Sequence, residues 1–208
     1  LQTRLDIAHD YARAGQFAEA IKLLSDAVLK ARGGSFSLSP GERVGRASDQ
    51  QTPPNQSWGA WPLVHYTLGW LHERSGDQRT ALVHFRQAAA LPPDYCFPAR
   101  LEEIAILEAA IRANPRDARA PYYLGNLLYD RRRHHEAIQL WERSARLSPD
   151  FSIVWRNLGI ACFNIRQQPG KARAAYDRAF QVNPNDARLL YERDQLWKRL
   201  GAKPERRL

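Results

Sequence analysis

Apolar, small and polar positions recur along this chain in one register, four times over. Segments beginning at Leu1, Pro62, Ala118 and Ser152 align without gaps through most of their length. The seventh position holds Ile7, Leu68, Leu124 and Leu158, and the eighth holds Ala8, Gly69, Gly125 and Gly159. The twentieth holds Ala20, Ala81, Ala137 and, after one inserted residue, Ala172. Next come Leu24, Phe85, Trp141 and Tyr176, then Ala27, Ala88, Ser144 and Ala179. Three segments close on Pro93, Pro149 and Pro184. Apolar residues three and four apart predict amphipathic helices, and each copy holds two of them, A and B. A fifth helix A is predicted from Asp186 to Leu200, with Leu189, Leu190, Leu196, Trp197 and Leu200 as its apolar residues.

A self-similar unit of this length is the mark of a stacked repeat, and the positions explain one another physically. A small eighth residue lets helix A approach helix B, and the Ala at twenty lets B pack back. The large residue at twenty-four is expected to fill the gap between neighbouring repeats. The closing proline ends helix B because its ring nitrogen cannot donate to the helix ladder. Gly15 and Gly76 stand where the A–B turn needs a left-handed residue. The pattern resembles the tetratricopeptide repeat. That resemblance implies an all-α chain, an α-solenoid of helix-turn-helix repeats. The repeats fall at about 1–32, 62–95, 118–151 and 152–186, with a terminal helix at 187–201.

Two departures interrupt the register. Residues 33–57 form a 25-residue insertion, GGSFSLSPGERVGRASDQQTPPNQS, whose composition reads as disordered. If ordered, it would be held by the groove of the solenoid or by a partner. Pro93 and Pro115 leave room for only one helix, roughly 98–114. Pro98 is expected at its first position, with Glu102 and Glu103 in the first turn, where acids suit the helix dipole. A lone helix reverses the direction of the next helix A, so two blocks are expected, 1–97 and 98–208.

The run DYCFPARLEEIAILEAAIRANPRDARAPYYLGNLLYDRRR, from Asp94 to Arg133, carries a closer resemblance, with VWRNLGIACFN and NPNDARLLYERDQLWKRLG further on. These stretches resemble the C-terminal repeat region of large bacterial proteins with an uncharacterised N-terminal domain. The resemblance implies a longer parent, β-rich and carbohydrate-related upstream, and it carries over no catalytic residue. The chain has no Met, and Leu1 opens a repeat, which also reads as a segment of something longer.

Composition narrows the classes. The 208 residues are 44% hydrophobic and 25% charged, an ordinary globular balance. No apolar run is long enough to span a membrane and the start lacks a signal h-region, so the expected compartment is cytoplasmic. Cys96 and Cys162 form neither a disulfide framework nor a zinc spacing. The net charge of +9 is concentrated: residues 151–208 carry 12 basic and 5 acidic groups. That block could meet phosphates through Arg188, Arg193, Lys198, Arg199, Lys203, Arg206 and Arg207, with Tyr191 and Trp197 for stacking.

Repeats of this type bind along a concave face lined by their A helices. By register, the candidate groove holds Tyr66, Trp70, Arg119, Tyr122, Asn126, Tyr129, Arg156, Phe163, Arg188 and Tyr191. Aromatics with arginine are the residue types of protein-interface hot spots, and their complement is a peptide or partner protein with acidic and apolar groups. Tyr66 and Trp70, nearest the insertion, could instead pack beneath it. Asn126, Asn157 and Arg188 match three positions of a carboxylate clamp, but Tyr122 stands where Lys is wanted and Glu192 where Arg is wanted.

His65 and His72 are about 10 Å apart along one helix, too far to share a metal. The spacing assigns no partner to His9 or His84, and His134 and His135 fall in an A–B turn. No nucleophile motif, phosphate loop or HExxH is present. The chain therefore reads as a non-catalytic protein–protein interaction scaffold, with no metal and no cofactor. Alternatives are nucleic-acid or polyanion binding through the basic C-terminal block, or an accessory domain of a carbohydrate-active protein.

Overall fold

The computed structural model describes residues 1–33 and 60–201, and side chains of residues 1–30 and 60–201. Ten α-helices and no strand occur among the described residues. The 25-residue insertion lies almost wholly outside them. The chain divides into two compact units, Leu1–Cys96 and Phe97–Leu208.

The first unit holds two helical hairpins: α1 (Gln2–Arg13) with α2 (Phe17–Gly33), and α3 (Trp61–Arg74) with α4 (Gln78–Ala90). Helix α2 runs through Gly33, the residue that opens the insertion by sequence. The second unit begins with α5 (Glu102–Ala113). It continues with two hairpins, α6 (Arg119–Asp130) with α7 (His134–Leu147), and α8 (Ser152–Asn164) with α9 (Pro169–Val182). Helix α10 (Ala187–Arg199) closes it.

The A–B turns share one design. In the first hairpin Gly15 takes φ +77° and Gln16 N–H donates back to Tyr11 O at 2.9 Å. In the second, Gly76 takes φ +86° and Asp77 N–H reaches His72 O at 2.9 Å. Six-to-one closure of this kind needs a left-handed residue, which glycine adopts without a Cβ penalty. The third and fourth hairpins turn without glycine, placing Arg132 at φ 61° and Gln167 at φ 53°.

Within each hairpin the eighth and twenty-fourth positions are complementary. A Cβ built on Gly69 would lie 2.6 Å from the Phe85 ring, one on Gly125 2.5 Å from Trp141, and one on Gly159 2.5 Å from Tyr176. The aromatic therefore lies over the glycine of its own hairpin, rather than filling the space between repeats as expected from sequence. The first hairpin pairs a larger residue with a smaller partner: Ala8 and Leu24, both fully buried. Serines tie the ends of two hairpins. Ser144 Oγ donates to Ala118 O at 2.6 Å, and Ser152 Oγ donates to Ala179 O at 3.0 Å.

Ile7 departs from its three counterparts. Leu68, Leu124 and Leu158 are buried, whereas Ile7 is 42% exposed. Helix α5 also begins later than the sequence suggests. Pro98 stands outside it, and Leu101 is the N-cap. The buried Glu103 organises the entry, its Oε2 accepting from the backbone N–H groups of Ala99 (2.7 Å) and Arg100 (2.8 Å). The carboxylate thereby satisfies two backbone donors that precede the helix. On α10, Leu189, Leu196 and Trp197 are buried against Tyr176 and Ala179, while Leu190 and Leu200 face outward.

Candidate functional site

The A helices of the second unit, α6 and α8, and the last helix α10 set most of the predicted groove residues along two cavities of about 300 Å³ each. The first is lined by Tyr122, Asn126, Tyr129, Arg156 and Arg188, with Trp141 and Phe97. The second is lined by Phe163 and Tyr191, with Asn164, Tyr176, Glu192 and Arg199. Ile160 borders both, so the two are neighbouring stretches of one groove.

Hydrogen bonds fix the floor of the first cavity. Asn126 Oδ1 accepts from Trp141 Nε1 at 3.1 Å and from Asn157 Nδ2 at 3.0 Å. Arg156 Nη1 donates to Asn157 Oδ1 at 3.2 Å. Both lone pairs of the Asn126 carbonyl are thus engaged, and its amide N–H groups remain as donors on the cavity wall. Tyr129 packs on Trp141 with ring centroids 5.1 Å apart and planes tilted by 34°.

Charge in the groove is arranged around Glu192. Arg156 grips its carboxylate in bidentate fashion, Nε donating at 2.6 Å and Nη2 at 2.5 Å, and Arg188 Nε adds a third bond at 2.9 Å. Burial pushes Glu192 up, but the hydrogen bonds and charges of the two arginines outweigh it and hold the carboxyl below its ordinary range. Two arginines on one carboxylate leave a local net positive charge, and Arg188, with a side chain 74% exposed, carries it to the surface. Burial first, then the Glu192 charge, pushes the Tyr176 phenol up to about 12.

The structure treats the ten sequence candidates unequally. Tyr191 is 66% exposed and Arg188 is open, while Asn126, Tyr129, Arg156 and Phe163 are half-buried groove residues. Tyr122 reaches the cavity only by its edge. It is 3% exposed, packed on Phe151 and Tyr123 with centroids 4.9 and 5.2 Å away. Arg119 lies 3.7 Å above the Phe151 ring and lines neither cavity. Tyr66 is completely buried, a core residue of the first unit rather than a groove residue. Trp70 is half-buried, edge-on to Phe17 at 6.1 Å.

The remaining motifs also change. In place of the clamp arginine, Glu192 already occupies the arginines that a ligand carboxylate would need. Trp197 is 2% exposed and packed by Arg173 and Arg193, whose guanidinium carbons lie 5.1 and 4.7 Å from its ring centroid. It is not available for base stacking. Arg193 is further engaged by Asp177 at 2.9 Å. Lys203, Arg206 and Arg207 lie outside the described residues. His84, to which the spacing assigns no partner, sits between His65 and His72: its Nδ1 is 3.0 Å from His65 Nδ1, and the His72 ring stacks on it at 5.5 Å. His9 is buried, with Nε2 3.4 Å from Thr67 Oγ1. His134 and His135 open α7 rather than lying in the turn. Among the described residues no group of three or more His, Cys, Asp or Glu could hold a metal ion, and no helix is long and apolar enough to cross a membrane.

Residues 104–150 and 124–186 match the Tetratricopeptide repeat family. These segments run from within α5 to just past α9 and fall within the second unit. Among solved structures, the chain is similar to the crystal structure of MamA protein at 17% identity and a TM-score of 0.48, over 98% of this chain and 84% of that one. It is similar to pilF of Pseudomonas Aeruginosa at 16% identity and a TM-score of 0.45, over 96% of this chain and 68% of that one. It is also similar to the first TPR of Spaghetti (RPAP3), solved bound to the HSP90 peptide SRMEEVD. There the identity is 14% and the TM-score 0.44, over 69% of this chain and 96% of that one.

Proposed function

We propose that the second unit is a protein-interaction module that takes an extended peptide or a segment of a partner protein in the α6–α8–α10 groove. The observation that carries this reading is the pair of cavities joined at Ile160. Their walls offer what an extended chain requires. The Asn126 amide donates to a peptide carbonyl, Tyr129, Phe163 and Tyr191 cover apolar side chains, and the charge carried by Arg188 favours acidic ones. Tyr191, 66% exposed, offers an aromatic face in the groove at little entropic cost, which is how interface anchors work.

Affinity capture from nuclease-treated lysate at two salt concentrations tests the reading. The full chain is compared with a Tyr191→Ala/Arg188→Ala variant. Both side chains are exposed, so the variant keeps its fold. A discrete protein retained at moderate salt and lost in the variant supports the groove. Capture that survives in the variant, or that disappears with nuclease, sinks it.

A further inference from the structure

The second unit has another opening, unrelated to the groove above. It lies between α5 and α7 over the back of α6, with a volume of about 470 Å³. Leu124 and Leu128 form its floor. Leu124 stands two residues after Tyr122, about 200° round the helix. It therefore leaves α6 on the side away from Tyr122, Asn126 and Tyr129. Ile111 of α5 and Leu140 of α7, both half-buried, are the apolar walls.

Arginine forms the rim. Arg112, Arg143 and Arg146 line the opening, and among the described residues none of them has an ion pair or a hydrogen bond. A fourth, Arg133, is held by Glu136 through two bonds and contributes no free charge. The other acid on the lining is Glu108. The opening thus has an apolar floor and a surplus of cation. Along α7 the lining runs from Glu136 to Arg146, about 15 Å or three helical turns.

We infer that this opening between α5 and α7 is a docking site for an acidic amphipathic helix of a partner protein, separate from the A-helix groove. Apolar residues of the incoming helix, spaced three and four apart, enter over Leu124, Leu128, Ile111 and Leu140. Its flanking carboxylates meet Arg112, Arg143 and Arg146. A nucleic acid or other simple polyanion would satisfy the arginines but leave the half-buried apolar walls, Ile111 and Leu140, without a complement, which favours the helix. The positive net charge of the chain steers such a partner on approach.

The probe is a fluorescein-labelled 15-residue peptide with Leu on one helical face and Glu on both flanks, monitored by fluorescence polarisation against the full chain. A peptide of the same composition, shuffled to scatter the Leu residues, and polyglutamate are the controls. Expected is saturable binding at least 10-fold tighter than either control. An Arg112→Glu/Arg143→Glu variant should weaken it at least 10-fold, and Arg146→Glu alone measurably, with helical circular dichroism unchanged. The Arg188→Glu/Tyr191→Ala variant should bind as the wild type does, which separates this site from the proposed groove. Equal binding of the controls would reduce the opening to an anion trap and overturn the inference. So would an absence of binding, or indifference to the arginine reversals. Sedimentation showing self-association abolished by Arg112→Glu/Arg143→Glu would assign the opening to a second copy of this chain, and would equally overturn it.

Discussion

A single methyl group added at Gly69 has nowhere to go. Its Cβ would sit 2.6 Å from Phe85 Cδ1 and Cε1 and 3.1 Å from the Ala81 carbonyl oxygen, where carbon contacts settle at about 3.5–4.0 Å. Phe85 is fully buried and Ala81 is 1% exposed, so neither ring nor backbone can yield into solvent. Overpacking of this kind costs about 1–3 kcal/mol. The better helix propensity of alanine returns about 0.5–1 kcal/mol, so Gly69→Ala, whose clash lies near the severe end, is expected to destabilise the α3–α4 hairpin by up to about 2.5 kcal/mol. Phe85→Leu alone trims a buried ring and costs about 1–2 kcal/mol. The first hairpin shows the remedy, because it carries Ala8 against Leu24, both completely buried. The double variant Gly69→Ala/Phe85→Leu copies that pair. It should be no less stable than Phe85→Leu alone, giving a favourable coupling of about 1–2 kcal/mol, within the range for residues in contact. Hydrogen exchange of peptides spanning α3 and α4 in the full chain, read by mass spectrometry across a urea series, measures all four corners of the cycle. A coupling within about 0.3 kcal/mol of zero, the additivity error for independent sites, would refute the glycine–aromatic complementarity. So would a Gly69→Ala single variant that is more stable than wild type.

Other consequences are tested on the same material. Arg132 holds a left-handed φ of 61° where the first two hairpins use glycine. Arg132→Gly should therefore stabilise α6–α7 by about 0.5–1 kcal/mol, strain relief exceeding the entropy glycine adds to the unfolded chain; a loss of stability in urea titration would contradict this. The depressed carboxyl of Glu192 contributes stability that is present above the ordinary carboxylate pKa and is lost as pH falls through its lowered value. Arg156→Ala should consequently cost about 1–3 kcal/mol at pH 7, and most of that difference should vanish in acid once the carboxylate is protonated. Tyr176, raised to about 12, works in the opposite direction. Its contribution is complete below the ordinary phenol pKa and lost as pH rises toward about 12. In an ultraviolet absorbance titration of phenolate, Tyr176→Phe should remove one phenol that titrates at about 12.

The register was legible because it rests on residue size. A small residue at eight, a large one at twenty-four and a glycine in the turn are constraints that act within one hairpin, and a single sequence displays the size pattern four times. What was not legible required a third dimension. The partner of the position-twenty-four aromatic is the glycine of its own hairpin, whereas spacing alone equally allows the space between repeats. Tyr66 and Tyr122 share a register position that faces the groove, yet both are buried. A helical position specifies direction and not depth, and Phe151, at the N-cap of α8, covers Tyr122. The clamp fails for a similar reason. Glu192 was visible as a mismatch, but its capture by Arg156, 36 residues away, depends on how α8 meets α10. The charge of the C-terminal block misled because counting cannot show pairing. Arg156 and Arg193 are held by acids of this chain, and Trp197 lies beneath arginine rather than open to a base. The start of α5 moved past Pro98 because the buried carboxylate of Glu103 caps from inside the helix, a reach that proline position does not reveal.

The central claim is that the α6–α8–α10 groove receives a partner chain. Photo-crosslinking tests it most directly, with p-benzoylphenylalanine in place of Tyr191, which is 66% exposed in the groove. The same probe at Arg178 on α9, which lines neither cavity, is the control. The account predicts a discrete protein adduct from position 191, absent from position 178 and weakened by Phe163→Ala. Equal adducts from both positions, or none from position 191 in cells where the full chain is expressed, would contradict it.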